Sequence, residues 1–265
     1  MTLHAALAEG ARAFPDRPWV SCENQTWSYA EGGALTDRLA QGLMAAEIGP
    51  GDRVALLFAN SPELIFSYYA CWKIGAIAVP LNIRFAPPEL AYALGHCEAR
   101  ILLGQEDLCR AVIPMQAELP HLSAVHVTGD ALEGARRFEA LCEDRPGEPA
   151  ALPSVDAHQM AALLYTSGTT ARPKGVIHTH AGLCQQAENF FDALGRNVFE
   201  RTVISTPLYH ASGFGSGMLP VTQAGGSMWI VRRFEPEAVL CVIESSRATY
   251  SGNLPVQVRI LVDHP

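Results

Sequence analysis

Short apolar runs alternate with helix-start signals along this 265-residue chain. Ser28 and Glu31 stand three residues apart ahead of Leu35, Leu39 and Leu43, which is the spacing of a capping box followed by one apolar helical face. Gly49-Pro50-Gly51 predicts the stop of that helix. Residues 53–58 read as a buried strand. Ser61-Pro62-Glu63 starts a second helix, with proline in the first turn where its missing N–H costs nothing. That helix is expected to end near Gly75, before a strand at 76–79. Pro87-Pro88-Glu89 opens a third helix, and strands follow at 100–103 and 125–127. Further on, a helix is predicted at 183–194, strands at 202–205 and 227–231, a helix at 236–245 and a strand beginning at Thr249-Tyr250. Strands separated by helices imply βαβ units, hence an α/β fold whose sheet is covered on both faces. Residues 145–153, rich in Pro, Gly and Ala, read as a surface linker inside that domain.

The most specific chemistry lies in residues 165–176, YTSGTTARPKGV. Positions 166–170 hold three threonines, a serine and a glycine, and Arg172 and Lys174 follow around Pro173. No Asp or Glu occurs from 157 to 187, although the formal net charge is −8. Hydroxyls, glycine-freed amides and two cations are what a polyphosphate needs. The apolar run 160–165 reads as a buried strand, so the loop falls at a strand's C-terminal end, where open α/β sheets place ligands. It is not the Gly-Lys-Ser/Thr loop that opens a helix, because Lys174 precedes Gly175 and 176–177 reads as strand. Nor does it contain GxGxxG. The plain alternative is a polar hairpin whose Gly and Pro only make the turn.

Hydrophobic residues make up 49% and charged residues 17%, an ordinary globular balance. The acidic balance argues against a general nucleic-acid binder. No apolar run approaches the ~20 residues of a membrane span, and the N-terminus lacks the basic start and apolar core of a signal peptide. Seven cysteines without paired spacing suggest reduced core thiols in a cytoplasmic protein.

YTSGTTARPKGV resembles the phosphate loop of the AMP-forming adenylate-forming enzymes, which include acyl-CoA synthetases, firefly-type luciferases and peptide-synthetase adenylation domains. KIGAIAVPLN at 73–82 resembles that superfamily's upstream lysine–glycine–proline motif, and PLYHASG at 207–213 its downstream histidine segment. Order and spacing fit as well, so the resemblance covers essentially the whole chain. It implies the layered βαβ sheets of the large N-terminal domain, incomplete at the C-terminus. It also implies ATP, Mg2+ and coenzyme A, with a carboxylic acid activated to an acyl-adenylate and passed on as a thioester. The family's ribose-binding aspartate, magnesium-holding acid, hinge and mobile C-terminal domain have no counterpart in residues 1–265. The sequence is therefore read as an N-terminal portion, inactive alone.

By the same resemblance, Thr166 is the loop residue nearest the magnesium-bridged phosphates. Ser167, Gly168, Thr169 and Thr170 would wrap the β- and γ-phosphates, with Gly175 in the nucleotide-binding set. Lys174 would hold the departing pyrophosphate, and Arg172 would add a positive field without a fixed contact. The family carries glycine where this chain has Ala171; at positive φ that exchange costs about 1 kcal/mol, and at negative φ nothing. His210 would lie beside the carboxylate and donate a hydrogen bond to it. Tyr209 and Phe214 are expected as pocket wall, and Gly213-Phe214-Gly215 as a loop that permits close approach. Lys73 is expected in a packing or solvent role. Asn82 leans toward acyl-CoA synthetases, since peptide-synthetase domains usually carry aspartate there. His178 and His180 lack a third ligand for zinc, and Thr179 or His180 is expected to begin a helix. Two other readings are an adenylation domain feeding a carrier protein and a non-catalytic chain that binds nucleotide weakly.

Overall fold

The computed structural model describes residues 1–143, 149–166 and 173–265. The chain opens with α1 (Leu3–Ala13) and a hairpin of β1 (Pro18–Cys22) and β2 (Gln25–Ser28), none of which the sequence signals announced. α2 (Tyr29–Ala45) starts as expected: the Ser28 hydroxyl accepts from the Glu31 N–H at 3.2 Å and the Glu31 carboxylate accepts from the Ser28 N–H at 2.8 Å. It ends before Gly49, because Glu47 itself turns left-handed at φ +62°.

β3 (Arg53–Leu57), α3 (Pro62–Lys73), β4 (Ile77–Pro80), α4 (Pro87–His96), β5 (Ile101–Gln105) and β6 (Ala124–Thr128) then build the expected parallel units, with α5 (Glu106–Cys109) and β7 (Arg136–Arg137) added where the sequence signals announced nothing. The Ser61 hydroxyl caps α3 on the Leu64 N–H at 3.3 Å, and Gly75 closes its end at φ +69°. Residues 149–156 have no regular structure; Gln41 holds Ala150 at both its N–H and its carbonyl.

β8 (Met160–Thr166) and β9 (Lys174–Thr179) form an antiparallel hairpin, followed by α6 (His180–Leu194), β10 (Arg201–Ile204), α7 (Leu219–Ala224), β11 (Ser227–Ile230), α8 (Pro236–Ser246), β12 (Tyr250–Ser251) and α9 (Pro255–Val262). Among the described residues the strands make a seven-stranded sheet, β7-β6-β5-β3-β4-β8-β9, and a five-stranded sheet, β12-β10-β11-β1-β2. β1 runs parallel to β11, pairing Val20 with Met228 across most of the sequence.

α3 lies between the two sheets, touching β3 and β4 on one side and β1 on the other. Every residue of it except Glu63 is buried, as a helix in a central layer requires. Trp19, Tyr68, Tyr69, Trp72, Phe199 and Phe214 fill this layer. A second cluster, with Leu90 and Leu94 of α4, covers the outer face of β3–β6. The expectation of cover on both faces fails at the β8–β9 edge, where Met160, Val176 and Ile177 are 42%, 42% and 59% exposed. The cysteines are mostly core residues as expected, but Cys142 is half-buried and Cys241 is exposed on α8.

Candidate active site

The β8–β9 register sets Tyr165 opposite Gly175 and Thr166 opposite Lys174. Leu164 and Tyr165 are buried, and the strand emerges at Thr166. The Tyr165 hydroxyl meets His96 Nδ1 on α4 at 2.7 Å, tying the hairpin stem to the helical layer. Burial pushes the Tyr165 phenol up, so it stays protonated. Thr166 and Lys174 are exposed, with the Thr166 hydroxyl 3.5 Å from the Lys174 carbonyl. Among the described residues no carboxylate pairs with the Lys174 ammonium. A hydroxyl and a free cation at a strand's C-terminal end, in a stretch without Asp or Glu, fit an anionic polyphosphate. Ser167, Gly168, Thr169, Thr170, Ala171 and Arg172 lie outside the described residues.

The histidine segment comes from the other sheet. Leaving β10, the chain runs through Ser205 and Thr206, both buried, to Leu208. The side chain of Asn60, in the loop between β3 and α3, donates to the Thr206 carbonyl at 2.9 Å and the Val231 carbonyl at 3.2 Å, and accepts from the Leu208 N–H at 2.8 Å. The Tyr68 hydroxyl donates to the Leu208 carbonyl at 3.0 Å. The His210 N–H turns back to the Pro207 carbonyl at 3.1 Å, and the Phe214 N–H to the His210 carbonyl at 3.0 Å.

His210 is exposed, with its ring centroid 4.7 Å from that of Tyr209. Loss of part of its water shell, and then the Arg84 guanidinium, hold its pKa below the ordinary histidine range. The imidazole is therefore neutral near pH 7 and has one N–H to donate. Burial pushes the Tyr209 phenol up, and Arg84 draws it back. Arg84 is exposed in the loop after β4, its N–H on the Asn82 side chain at 2.9 Å. Neither Arg84 nor Asn60 was singled out in the sequence. Arg84 stands two residues beyond the VPLN run, and Asn60 directly precedes the capping serine.

The expected glycine loop is a π-helical turn, Ser212–Met218. Three glycines in seven residues read as loop because glycine weakens a helix. Here packing requires them: a Cβ on Gly213 would stand 2.3 Å from the Pro207 carbonyl oxygen, and one on Gly215 2.6 Å from the Gln186 amide. Tyr209, His210, Gly213 and Phe214 are thus brought together. The Phe214 ring is 1% exposed and turns inward, 5.0 Å from Tyr68 and 6.0 Å from Trp72 between centroids.

Lys73 is a packing residue and not a solvated one. It is 7% exposed, donating to Asp37 at 2.6 Å and to the Gly33 carbonyl at 3.0 Å. Burial lowers its pKa and the Asp37 carboxylate raises it. Thr179 caps α6 through the Gly182 N–H at 3.1 Å, as expected. His180 is fully buried, and its Nδ1 accepts from the Leu3 N–H at 3.3 Å. Among the described residues no group of three or more His, Cys, Asp or Glu gathers to hold a metal.

Residues 7–265 match the family described as AMP-binding enzyme. The chain belongs to that family. A feruloyl-CoA synthase from Amycolatopsis is 33% identical over 256 residues, covering 96% of this chain and 49% of that protein. An indoleacetate–CoA ligase of Aromatoleum aromaticum is 29% identical over 264 residues, covering 99% and 50%. Among solved structures, the inhibitor-bound N-terminal domain of FACL13 from Mycobacterium tuberculosis superposes with a TM-score of 0.89 at 25% identity, covering 100% of this chain and 65% of that one. The o-succinylbenzoate coenzyme A synthetase of Bacillus subtilis, in complex with AMP, gives 0.84 at 25%, covering 97% and 63%. The α/β architecture is that of the family's N-terminal domain. The chain spans about half the length of the curated relatives it matches.

Proposed function

We propose that this chain carries the phosphate and carboxylate sides of an AMP-forming acid–CoA ligase. The observation that carries the reading is the hairpin mouth, where Thr166 faces Lys174 at a carboxylate-free strand end. In this reading ATP supplies the adenylyl group, Mg2+ offsets phosphate charge, and coenzyme A supplies the thiol acceptor. Thr166, Ser167, Gly168, Thr169, Thr170 and Gly175 bind phosphate oxygens, with Thr166 nearest the metal. Lys174 neutralises the departing pyrophosphate, and Arg172 adds to the field. Neutral His210 donates its N–H to a carboxylate oxygen and orients the acid, with Tyr209 and Gly213 shaping that end and Phe214 backing it from the core. The adenylation transition state joins an anion to a polyanion, so positioning and charge offset supply most of the rate.

Relatives named as CoA ligases, together with Asn82, support coenzyme A over a carrier protein as acceptor. Because the chain spans about half of those relatives, activity is assigned to a longer protein containing it. Residues 1–265 alone are proposed to bind Mg-ATP weakly and to form no adenylate. A cytoplasmic location is part of the same proposal; among the described residues no helix is long and apolar enough to cross a membrane. The test is acid-dependent ATP–pyrophosphate exchange by a full-length enzyme carrying this chain, with ferulate, indoleacetate, and short- and long-chain fatty acids. Exchange with at least one acid, followed by thioester formation with free coenzyme A, is expected. A folded enzyme with no exchange on any acid overturns the reading, and thioester formation only on a carrier protein moves the acceptor.

A further inference from the structure

The two sides of the site arise from different sheets. Thr166 and Lys174 leave the seven-stranded sheet, and His210 follows β10 of the five-stranded sheet. Their relative position therefore depends on what joins the sheets at the ends of these strands. Asn60 spans that joint. It is 4% exposed and sits between two anchors of its own: the Ala59 N–H on the Gln105 side chain at 2.9 Å, and the Ser61 cap of α3.

From there both Asn60 N–H donors are spent on the far sheet, on Thr206 after β10 and on Val231 after β11, while its carbonyl takes the Leu208 N–H. Bonding Thr206 and Leu208 together, the amide imitates a neighbouring strand. Tyr68 of α3 bonds the Leu208 carbonyl, so both backbone groups of Leu208 are held by groups from the phosphate-side sheet and its following helix. Gly213 presses on Pro207 from the other side, where a Cβ would stand 2.3 Å from the carbonyl oxygen.

We infer that Asn60 is the positioning residue that fixes His210, and with it the acid, relative to the phosphate hairpin. The inference rests on the proposed role of His210. No other side chain fits these three partners. Aspartate would lose both donors and set a charge against two carbonyls. Alanine or leucine would leave two carbonyls and one N–H unpaired in a buried place, which is costly. Glutamine would insert an extra methylene into a packed joint.

The test begins with the unaltered 265-residue chain, by amide hydrogen exchange resolved by NMR. The Leu208 amide is expected among the slowest class, with the core strands. Exchange at the rate of an exposed loop overturns the inference whatever any variant does. Asn60→Asp and Asn60→Ala are then compared with wild type by histidine-selective NMR titration. The segment carrying His210 should leave the charge of Arg84 and part of its shelter, so the His210 resonance moves and its pKa rises toward the ordinary range. His126, buried in β6 of the other sheet, serves as reference and should not move. A folded Asn60 variant in which His210 titrates as before also overturns the inference. If neither variant folds, the Leu208 exchange rate decides alone. In a full-length enzyme, Asn60→Ala should raise the KM for the acid while leaving that for ATP. Failure of the wild-type enzyme to exchange with any acid would sink the ligase reading and leave the NMR result standing.

Discussion

The β8–β9 hairpin presents Thr166 and Lys174 on an open edge, whereas the segment leading to His210 is held from three sides by buried groups. Beyond the stem contact of Tyr165 with His96, the hairpin leaves Val176 and Ile177 largely in solvent. Leu208, two residues before His210, has both backbone groups bonded inside the core. The contrast follows from what each region is proposed to bind. Phosphate is a large diffuse anion, met by fields and by amides that can wrap it. A carboxylate that must attack phosphorus from one direction needs a donor in a fixed place.

The largest expected effect tests the charge side. Lys174→Ala in the full-length enzyme should raise the adenylation barrier by ~2–4 kcal/mol, or roughly 30- to 1,000-fold in rate. Because Lys174 is exposed, its loss should hardly change the melting temperature. Hydrolysis of a pre-made acyl-adenylate, which has no pyrophosphate to release, should suffer much less. Equal losses in both assays would mean that Lys174 acts through structure, and the two regions would then differ less than proposed.

The hairpin exposes Thr166 and Lys174 at its mouth but is anchored at its base, and acid should release that anchor. His180, which follows β9, is buried with its pKa lowered to about 4, first by desolvation and then by His4 and the N-terminal ammonium. It holds the Leu3 N–H through Nδ1, so it is neutral with its proton on Nε2, an atom without a partner among the described residues. Its folded pKa lies below the unfolded value of about 6.5. Stability is therefore complete above pH 6.5 and falls as the pH drops toward 4, by about 3 kcal/mol from this group. Urea unfolding of the chain across that window should show the slope, and His180→Gln, which keeps an acceptor without titrating, should flatten it. An unchanged slope in that variant would place the acid sensitivity elsewhere.

How much of each region could be read from the sequence follows from how local its causes are. The caps of α2 and α3 rest on residues three apart, so Ser28, Glu31 and Ser61 announced them. The hairpin was legible because both strands flank one continuous string. The hold on His210 was not, because Asn60, Tyr68, Leu208 and Gly213 come from separate stretches and only the fold assembles them. β1 escaped for the same reason: its partner Met228 lies across the chain from Val20. The turn Ser212–Met218 reads as loop because its glycines argue against a helix locally and serve close packing globally. Arg84 carries no motif; only the folded chain sets its charge near Tyr209 and His210.

A matched pair of glycine substitutions measures the contrast in stiffness. In Gly213→Ala the new methyl meets the Pro207 backbone, which is held on its far side through Leu208 and cannot withdraw. Overpacking of this kind should cost about 1–3 kcal/mol. In Gly175→Ala the methyl meets the far end of the half-buried Leu163 side chain at 2.9 Å, a terminal methyl that gives way more easily than backbone. That should cost well under ~1 kcal/mol. Denaturant melts of both variants give the comparison directly. Equal costs would mean that the hairpin stem is as rigid as the segment around His210.

The smallest effect concerns the electrostatics that the fixed segment brings together. Arg84 is the second cause of the lowered His210 pKa, after desolvation. Removing its charge relieves the protonated imidazole of a repulsion, so Arg84→Gln should raise that pKa, though not fully to the ordinary value. The phenol of Tyr209 should rise as well, since Arg84 favours its ionised form. Both signs are fixed by one charge, which makes the pair a stronger test than either alone. Arg84 is exposed, so the fold should survive and the titrations can be read by NMR in the same sample. If His210 rises while Tyr209 stays, Arg84 does not reach both groups. If neither moves, solvent screens it, and desolvation alone keeps His210 neutral. In a full-length enzyme the matching consequence is an acid-side pH limb that moves up with His210, since protonated His210 loses the single-donor state assigned to it. A limb that stays in place while the NMR titration moves would separate His210 from the step that limits the rate.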